Sequence, residues 1–212
     1  MSGWVTGKLA KLAARLNDEV RTVYDIGAHC GKWTALHLST FPGAHFHLFD
    51  AVRKQGRPPT DRETWHEVCL SRPGLTSVNY YTRRNEQGSG GDSYYQEWSS
   101  RFTTLEPIYM PACTLDSLLL PPPQVMKLDT QGSEVDIMNG ATKALASTLM
   151  IQIEMPVVGL NVGAPTFDDY MRCLKAHKFV PFDVEEVHTW DGSLLSHIDL
   201  IFVAKRIARS LR

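Results

Sequence analysis

The chain has 212 residues, 43% of them hydrophobic and 21% charged, with a formal net charge of −1. This is ordinary globular composition; it excludes disordered, collagen-like and coiled-coil chains, and the near-zero charge supplies no field to draw in nucleic acid, so no nucleic-acid partner is expected. The charge is uneven, however. Residues 1–21 carry two more basic than acidic groups, and 205–212 carry four basic groups and no acid, so the body between them holds −7.

Cys30, Cys69, Cys113 and Cys173 lack zinc-ligand spacing, and a chain this long needs no disulfide framework. Four reduced thiols in a cytoplasmic protein are expected. No apolar run is long enough to span a bilayer, and the first residues do not read as a signal peptide.

In chain order, Val5, Leu9, Leu12 and Leu16 mark one face of an amphipathic helix within 1–21. It reads as a lid packed on the domain; a membrane-surface or partner helix is the alternative. A single domain over 22–204 and a basic tail over 205–212 complete the organisation. RTVYDIG predicts a strand ending at Asp25, with Gly27 opening a turn, followed by a helix over 31–41. AHFHLFDA predicts a second strand ending at Asp50. Residues 51–64 are polar, contain Pro58-Pro59 and allow at most a very short helix. TWHEVCLS and SVNYYT predict two further strands, and 85–93 is a glycine-serine loop. IYMPAC leads into a helical turn that Thr114 or Asp116 caps. QVMKLD predicts a strand, 132–145 a helix, TLMIQIEM a strand and 167–176 a helix capped by Thr166. FVPFDVEEV and HIDLIFVAK close the chain as strands. Strands that alternate with helices and are apolar on both parities predict an α/β fold with a doubly wound, mostly parallel sheet. Ligands of such sheets bind at the carboxyl ends of the strands, where Asp25, Asp50, Ser71, Asp129 and Glu154 stand.

Two constellations carry the chemistry. In Val23-Tyr24-Asp25-Ile26-Gly27-Ala28-His29-Cys30-Gly31, glycines at 27 and 31 suit close approach of a nucleotide-like ligand. His29 and Lys32 stand where a dinucleotide fingerprint requires glycine, so the pyrophosphate cradle is missing. A ligand with an amino-acid end fits better, its ammonium meeting Asp25, and Asp50 can accept both hydroxyls of a ribose. In Lys127-Leu128-Asp129-Thr130-Gln131-Gly132-Ser133-Glu134, strand alternation puts Lys127 and Asp129 on one face, with Asp129 at the strand mouth. The plainer reading is that Asp129 and Glu134 cap the next helix.

The order VYDIGAHCG, HLFDA, CTLDSLL, VMKLDTQGSEVDIMNGA and IQIEM, across about 22–204, resembles the FkbM family of S-adenosylmethionine-dependent methyltransferases. The resemblance implies a Rossmann-like class I methyltransferase fold with a seven-stranded sheet. It also implies S-adenosyl-L-methionine as cofactor, S-adenosyl-L-homocysteine as product, and O-methylation of a hydroxyl on a sugar, polysaccharide or secondary metabolite. The chain departs from the family at His29, where asparagine is usual, at Asp50, where glutamate is usual, and in its short 51–64 region. The resulting cofactor set is Asp25, Gly27, Ala28, His29, Gly31, Asp50, Ala51, Ser71 and Asp129. The expected substrate set is Lys127 and Gln131, together with Ser89, Asp92 and Ser93, which the glycine-serine run adds because it matches a family stretch ending in serines.

Methyl transfer from a sulfonium needs acceptor oxygen, carbon and sulfur in line, and a base as charge builds on the oxygen. Asp129, Glu154 and His188 are the candidates, with His188 expected in a loop after a strand. No metal is expected; the alternative is Mg²⁺ held by two carboxylates of the site. The expected partner is a small-molecule or saccharide acceptor, with self-association left open. Two other functions remain: a methyltransferase-fold module that binds without catalysis, and an NAD(P)-dependent oxidoreductase, against which the missing glycine at 29 argues.

Overall fold

The structure is a computed structural model and describes residues 7–16, 20–83, 90–98, 105–190 and 192–211. Val5, Ser89 and the first residues of the expected N-terminal helix lie outside the described residues. In chain order the elements are α1 (Gly7–Leu16), β1 (Thr22–Ile26), α2 (Lys32–His37), β2 (His45–Asp50), β3 (Glu63–Glu67), β4 (Cys69–Leu70), β5 (Ser77–Tyr80) and β6 (Ile108–Cys113). They continue with β7 (Val125–Leu128), α3 (Glu134–Asn139), α4 (Thr142–Ser147), β8 (Met150–Pro156), α5 (Phe167–Ala176), β9 (Phe179–Trp190) and β10 (Leu194–Ala204).

Seven strands form one sheet in the order β3-β2-β1-β7-β8-β10-β9, and β4-β6-β5 form a small second sheet. The large sheet is parallel from β3 to β8; β10 runs against both β8 and β9. The chain winds outward from β1 through β2 to β3, then restarts at β7 on the other side. The point where strand order reverses therefore lies between β1 and β7, and a crevice opens at their carboxyl ends.

Strand alternation divides the core between the two sheet faces. Tyr24, Ile26, Met126, Leu128, Ile151 and Ile153 pack towards α3, α4 and α5, together with the buried Tyr170 and Leu174 of α5. Val23, Phe46, Leu48, Val125, Met150 and Val203 pack on the opposite face, where Leu9, Leu12 and Leu16 of α1 join them. The expected apolar stripe of α1 is thus buried on the domain. Lys8 pins the helix to β9 through Asp183 and the carbonyl of Val184. The chain end is packed as well: Leu211 is buried, and Arg206 donates to the carbonyls of Ser147 and Thr148.

Several expected elements differ in detail. TWHEVCLS is two strands, because the chain leaves the large sheet at Val68 and Cys69–Leu70 pairs with β6 instead. The helix expected over 31–41 ends at His37 and continues as turns. The helix expected over 132–145 breaks at Gly140, where an added Cβ would stand 2.3 Å from the carbonyl oxygen of Ser71. Thr114 makes no side-chain cap, and Asp116 caps α4 across the chain by accepting from the amides of Lys143 and Ala144. Thr166 caps α5 as expected, in a reciprocal box with Asp169. His188 lies within β9 and not in a loop, because that strand runs on to Trp190.

Candidate active site

A cavity of about 450 Å³ opens at the carboxyl ends of β1, β2, β7 and β8, a size usual for small-molecule sites. At one end it is lined by the turn after β1, by Asp50 and Ala51, and by Val68, Cys69, Leu70, Tyr80 and Tyr94. At the other end stand Lys127, Asp129, Gln131, Glu154, His188 and Asp199.

The turn after β1 is shaped by its neighbours. Gly27 has φ +79°, and an added Cβ would stand 1.7 Å from the carbonyl oxygen of Asp129. The glycine therefore lets the ends of β1 and β7 touch, and it also lines the cavity. The amides of Gly27 and Ala28 both donate to the Phe49 carbonyl, so the turn is also tied to β2. Gly31, at φ +75°, opens α2 and packs against Trp65, off the cavity wall. Gly56 presses on the Cys30 carbonyl, so residues 51–62, which form no helix, lie across the turn.

Asp50 ends β2 beside this turn. Its Oδ2 accepts from the His29 amide at 2.7 Å and its Oδ1 from the Val52 amide at 3.2 Å. Burial pushes its pKa up to about 6 against these two bonds. Each carboxylate oxygen keeps a further lone pair, and Asp50 lines the cavity.

Asp25 differs from its expected role. It is fully buried and does not line the cavity. Cross-strand register places it opposite Lys127, and Lys127 opposite Gln152, so the three form a polar row in which Lys127 and Gln152 reach the cavity and Asp25 does not. Thr34 donates to Asp25 Oδ2 at 2.7 Å, and Lys127 Nζ lies 3.7 Å from Oδ1. An ammonium from the chain itself thus occupies the place expected for one from the ligand. Burial raises the Asp25 pKa, with Lys127 and Thr34 opposing.

Lys127 and Asp129 share a face as expected, with Nζ 3.0 Å from Oδ2. Burial disfavours the charge on Lys127, but Asp129 and Asp25 outweigh it and raise the pKa. Burial likewise opposes ionisation of Asp129, and Lys127 and Gln131 overcome it, so Asp129 is held below the usual carboxylate range. Glu154 goes the other way: burial, then Asp129 and Glu134, push it well up. Gln131, at φ +57°, bridges the pair, donating to Asp129 Oδ1 at 3.0 Å and Glu154 Oε2 at 2.6 Å. Two adjacent carboxyls with pKa values driven apart are a common arrangement in catalytic sites. Glu134 accepts from the amides of Thr130 and Gly132 and from the Tyr170 hydroxyl, which makes it the clasp of the turn leading into α3.

The other expected residues divide. Ala28, His29, Ala51, Asp92 and His188 line the cavity. Asp92 is occupied, however, by a buried ion pair with Lys54 at 2.7 Å and a bond from Thr82. Ser71 and Ser93 are buried off the cavity, Ser71 against the Tyr94 hydroxyl and Ser93 paired with Tyr81. Tyr80, Tyr94, Glu185, Glu186 and Asp199 line the cavity without having been expected. Only Glu185-Glu186, a polar pair in an otherwise alternating strand, gave any local sign, since it breaks the period of two.

The sequence profile of the methyltransferase FkbM domain matches residues 25–181. The chain belongs to the FkbM methyltransferase family. Comparison with curated proteins gave no significant match. Among solved structures, the FkbM methyltransferase from Methylobacillus flagellatus KT aligns over 87% of this chain and 44% of its own, at 11% identity and a TM-score of 0.49. The precorrin-6y C5,15-methyltransferase from Geobacter metallireducens GS-15 aligns over 97% and 92%, at 13% identity and a TM-score of 0.47. Magnesium protoporphyrin IX methyltransferase from Synechocystis PCC 6803, solved with SAH, aligns over 94% and 81%, at 12% identity and a TM-score of 0.49. The chain therefore spans less than half the length of that FkbM relative. Among the described residues, no helix is long and apolar enough to cross a membrane.

Proposed function

We propose that this FkbM-family chain is an S-adenosylmethionine-dependent O-methyltransferase acting on a hydroxyl of a small molecule or saccharide. The carrying observation is that one cavity joins the glycine turn and Asp50, at the strand-order reversal, to a group of carboxylates on β7, β8 and β10. The residues present fit the cofactor. Asp50 keeps acceptor capacity for ribose hydroxyls, Val68, Leu70 and Ile137 offer an apolar wall to a flat base, and Asp129 offers charge to a cationic end. S-adenosylmethionine supplies an electrophilic methyl group carried on a sulfonium.

The chain's contribution is orientation and charge. The turn at 27–30 and Asp50 fix one end of the ligand, and residues 51–62 close over the turn and help exclude water. Asp129 is the base we assign: it is ionised, it stands at the mouth of β7 next to the turn, and Lys127 and Gln131 hold its carboxylate in place. Burial and the carboxylates of Asp129 and Glu134 push the Glu154 carboxyl well up, which sets it apart from Asp129 beside it.

Calorimetry with S-adenosylmethionine tests the reading. Binding to the parent protein, weakened at least tenfold in Asp50→Asn, is expected; absence of binding to the parent overturns it. Release of S-adenosylhomocysteine with a panel of hydroxylated acceptors then separates a transferase from a module that only binds.

A further inference from the structure

We infer that Glu186, His188 and Asp199 form a binding site for a divalent transition-metal ion in the same cavity. Cross-strand register sets Glu154, Asp199 and Glu186 opposite one another on β8, β10 and β9, and places His197 opposite His188 two residues on. Like charges in direct lateral register repel. Glu154 is answered within the chain, by Gln131 and by His197 at 3.1 Å. Asp199 and Glu186 instead share one imidazole, His188, whose Nε2 lies 3.9 Å from Asp199 Oδ2 and 3.8 Å from Glu186 Oε2. The three donor atoms lie within 4.8 Å of one another. Donors about 2.1 Å from a shared ion stand about 3 to 3.5 Å apart. Small side-chain adjustments therefore close the triad around an ion.

A second observation points the same way. The register of β9 against β10 slips between Asp199 and Leu200, leaving Glu185 as the extra residue of a bulge. Bulges re-aim side chains, and Glu185 lines the same cavity. Both its carboxylate oxygens are buried with no hydrogen-bond partner. A carboxylate taken from water without a partner is costly unless a cation stands nearby; Lys8 acts on Glu185, but its ammonium is bonded to Asp183 and the Val184 carbonyl instead. Two carboxylates and an imidazole suit Mn²⁺, Fe²⁺ or Zn²⁺ better than Mg²⁺ or Ca²⁺, and three protein ligands leave positions open to oxygen atoms of an acceptor. The site differs from the Mg²⁺ alternative raised by the sequence in its ligands: it uses Glu186, His188 and Asp199, whereas Asp129 and Glu154 are bonded by Lys127, Gln131 and His197.

The test titrates Mn²⁺ into the full chain without cofactor or acceptor and follows free Mn²⁺ by electron paramagnetic resonance. One ion per chain is expected. The affinity should fall at least tenfold in His188→Ala and in Asp199→Asn, with folding checked by circular dichroism. Glu186→Gln, at an exposed position, repeats the measurement with little risk to folding. No stoichiometric uptake by the parent at millimolar Mn²⁺, or uptake unchanged in all three variants, overturns the site and leaves the acidic row to an ammonium group on the acceptor. Because the assay contains no S-adenosylmethionine, its outcome is independent of the transferase reading.

Discussion

Replacing Asp50 with asparagine sets ligand binding against stability, and the two effects have opposite signs. In the folded chain, burial pushes the carboxyl from an ordinary 3.8 up to about 6, with the amides of His29 and Val52 opposing. The folded-state pKa is raised, so the group's contribution is most favourable below about pH 4 and is lost as pH rises through 6. Above that, holding the charge costs about 3 kcal/mol, since each pH unit of difference corresponds to about 1.4 kcal/mol. Asparagine removes the charge but keeps one acceptor oxygen for two amides, which costs about 1 to 2 kcal/mol. The free protein should therefore gain about 1 to 2 kcal/mol at pH 7.5, or a few degrees in Tm for a chain of this size. The gain should vanish or reverse at pH 4.5. The assay is urea unfolding of both proteins at each pH, read as a difference. The wild-type profile alone is not diagnostic, because His37 and His47, lowered to about 4 mainly by burial, lose stability in the same window as pH falls. Subtracting the two proteins cancels those histidines. An Asp50→Asn protein that is less stable than wild type by the same amount at both pH values would refute the reasoning and make Asp50 a structural tie of the turn.

Three further substitutions test how the site is held. Gly27→Ala forces a Cβ into the Asp129 carbonyl at a positive φ; we expect a loss of more than about 3 kcal/mol, seen as a lowered urea midpoint or insoluble expression. Tyr170→Phe removes the hydroxyl that donates to buried Glu134 and should cost about 1 to 3 kcal/mol in urea unfolding; an unchanged midpoint would show that the clasp at 130–134 does not depend on it. Asp116→Ala uncaps α4 from a distance and should cost about 1 kcal/mol by the same measurement, while leaving cofactor binding unaltered.

What could be read in advance was local. The capping box of α5 lies within four residues, so Thr166 and Asp169 announced it. The glycine turn and Asp50 were found because each ends a strand whose apolar run is plain in the sequence. Features that depend on which strands lie side by side were not legible. Asp25 looked like a ligand residue until its register opposite Lys127 buried it, and the second demand on Gly27, close contact with the Asp129 carbonyl, comes from a strand about a hundred residues away. The break at Gly140 depends on a carbonyl almost seventy residues earlier in the chain. The acidic row is the extreme case. Glu154, Asp199 and Glu186 come from three strands, one reversed and one bulged, and a shift of one residue in either pairing would turn a carboxylate to the opposite face. The excess negative charge of the body was visible in composition, but only the sheet register shows that part of it is gathered around one cavity, where a cation has to answer it.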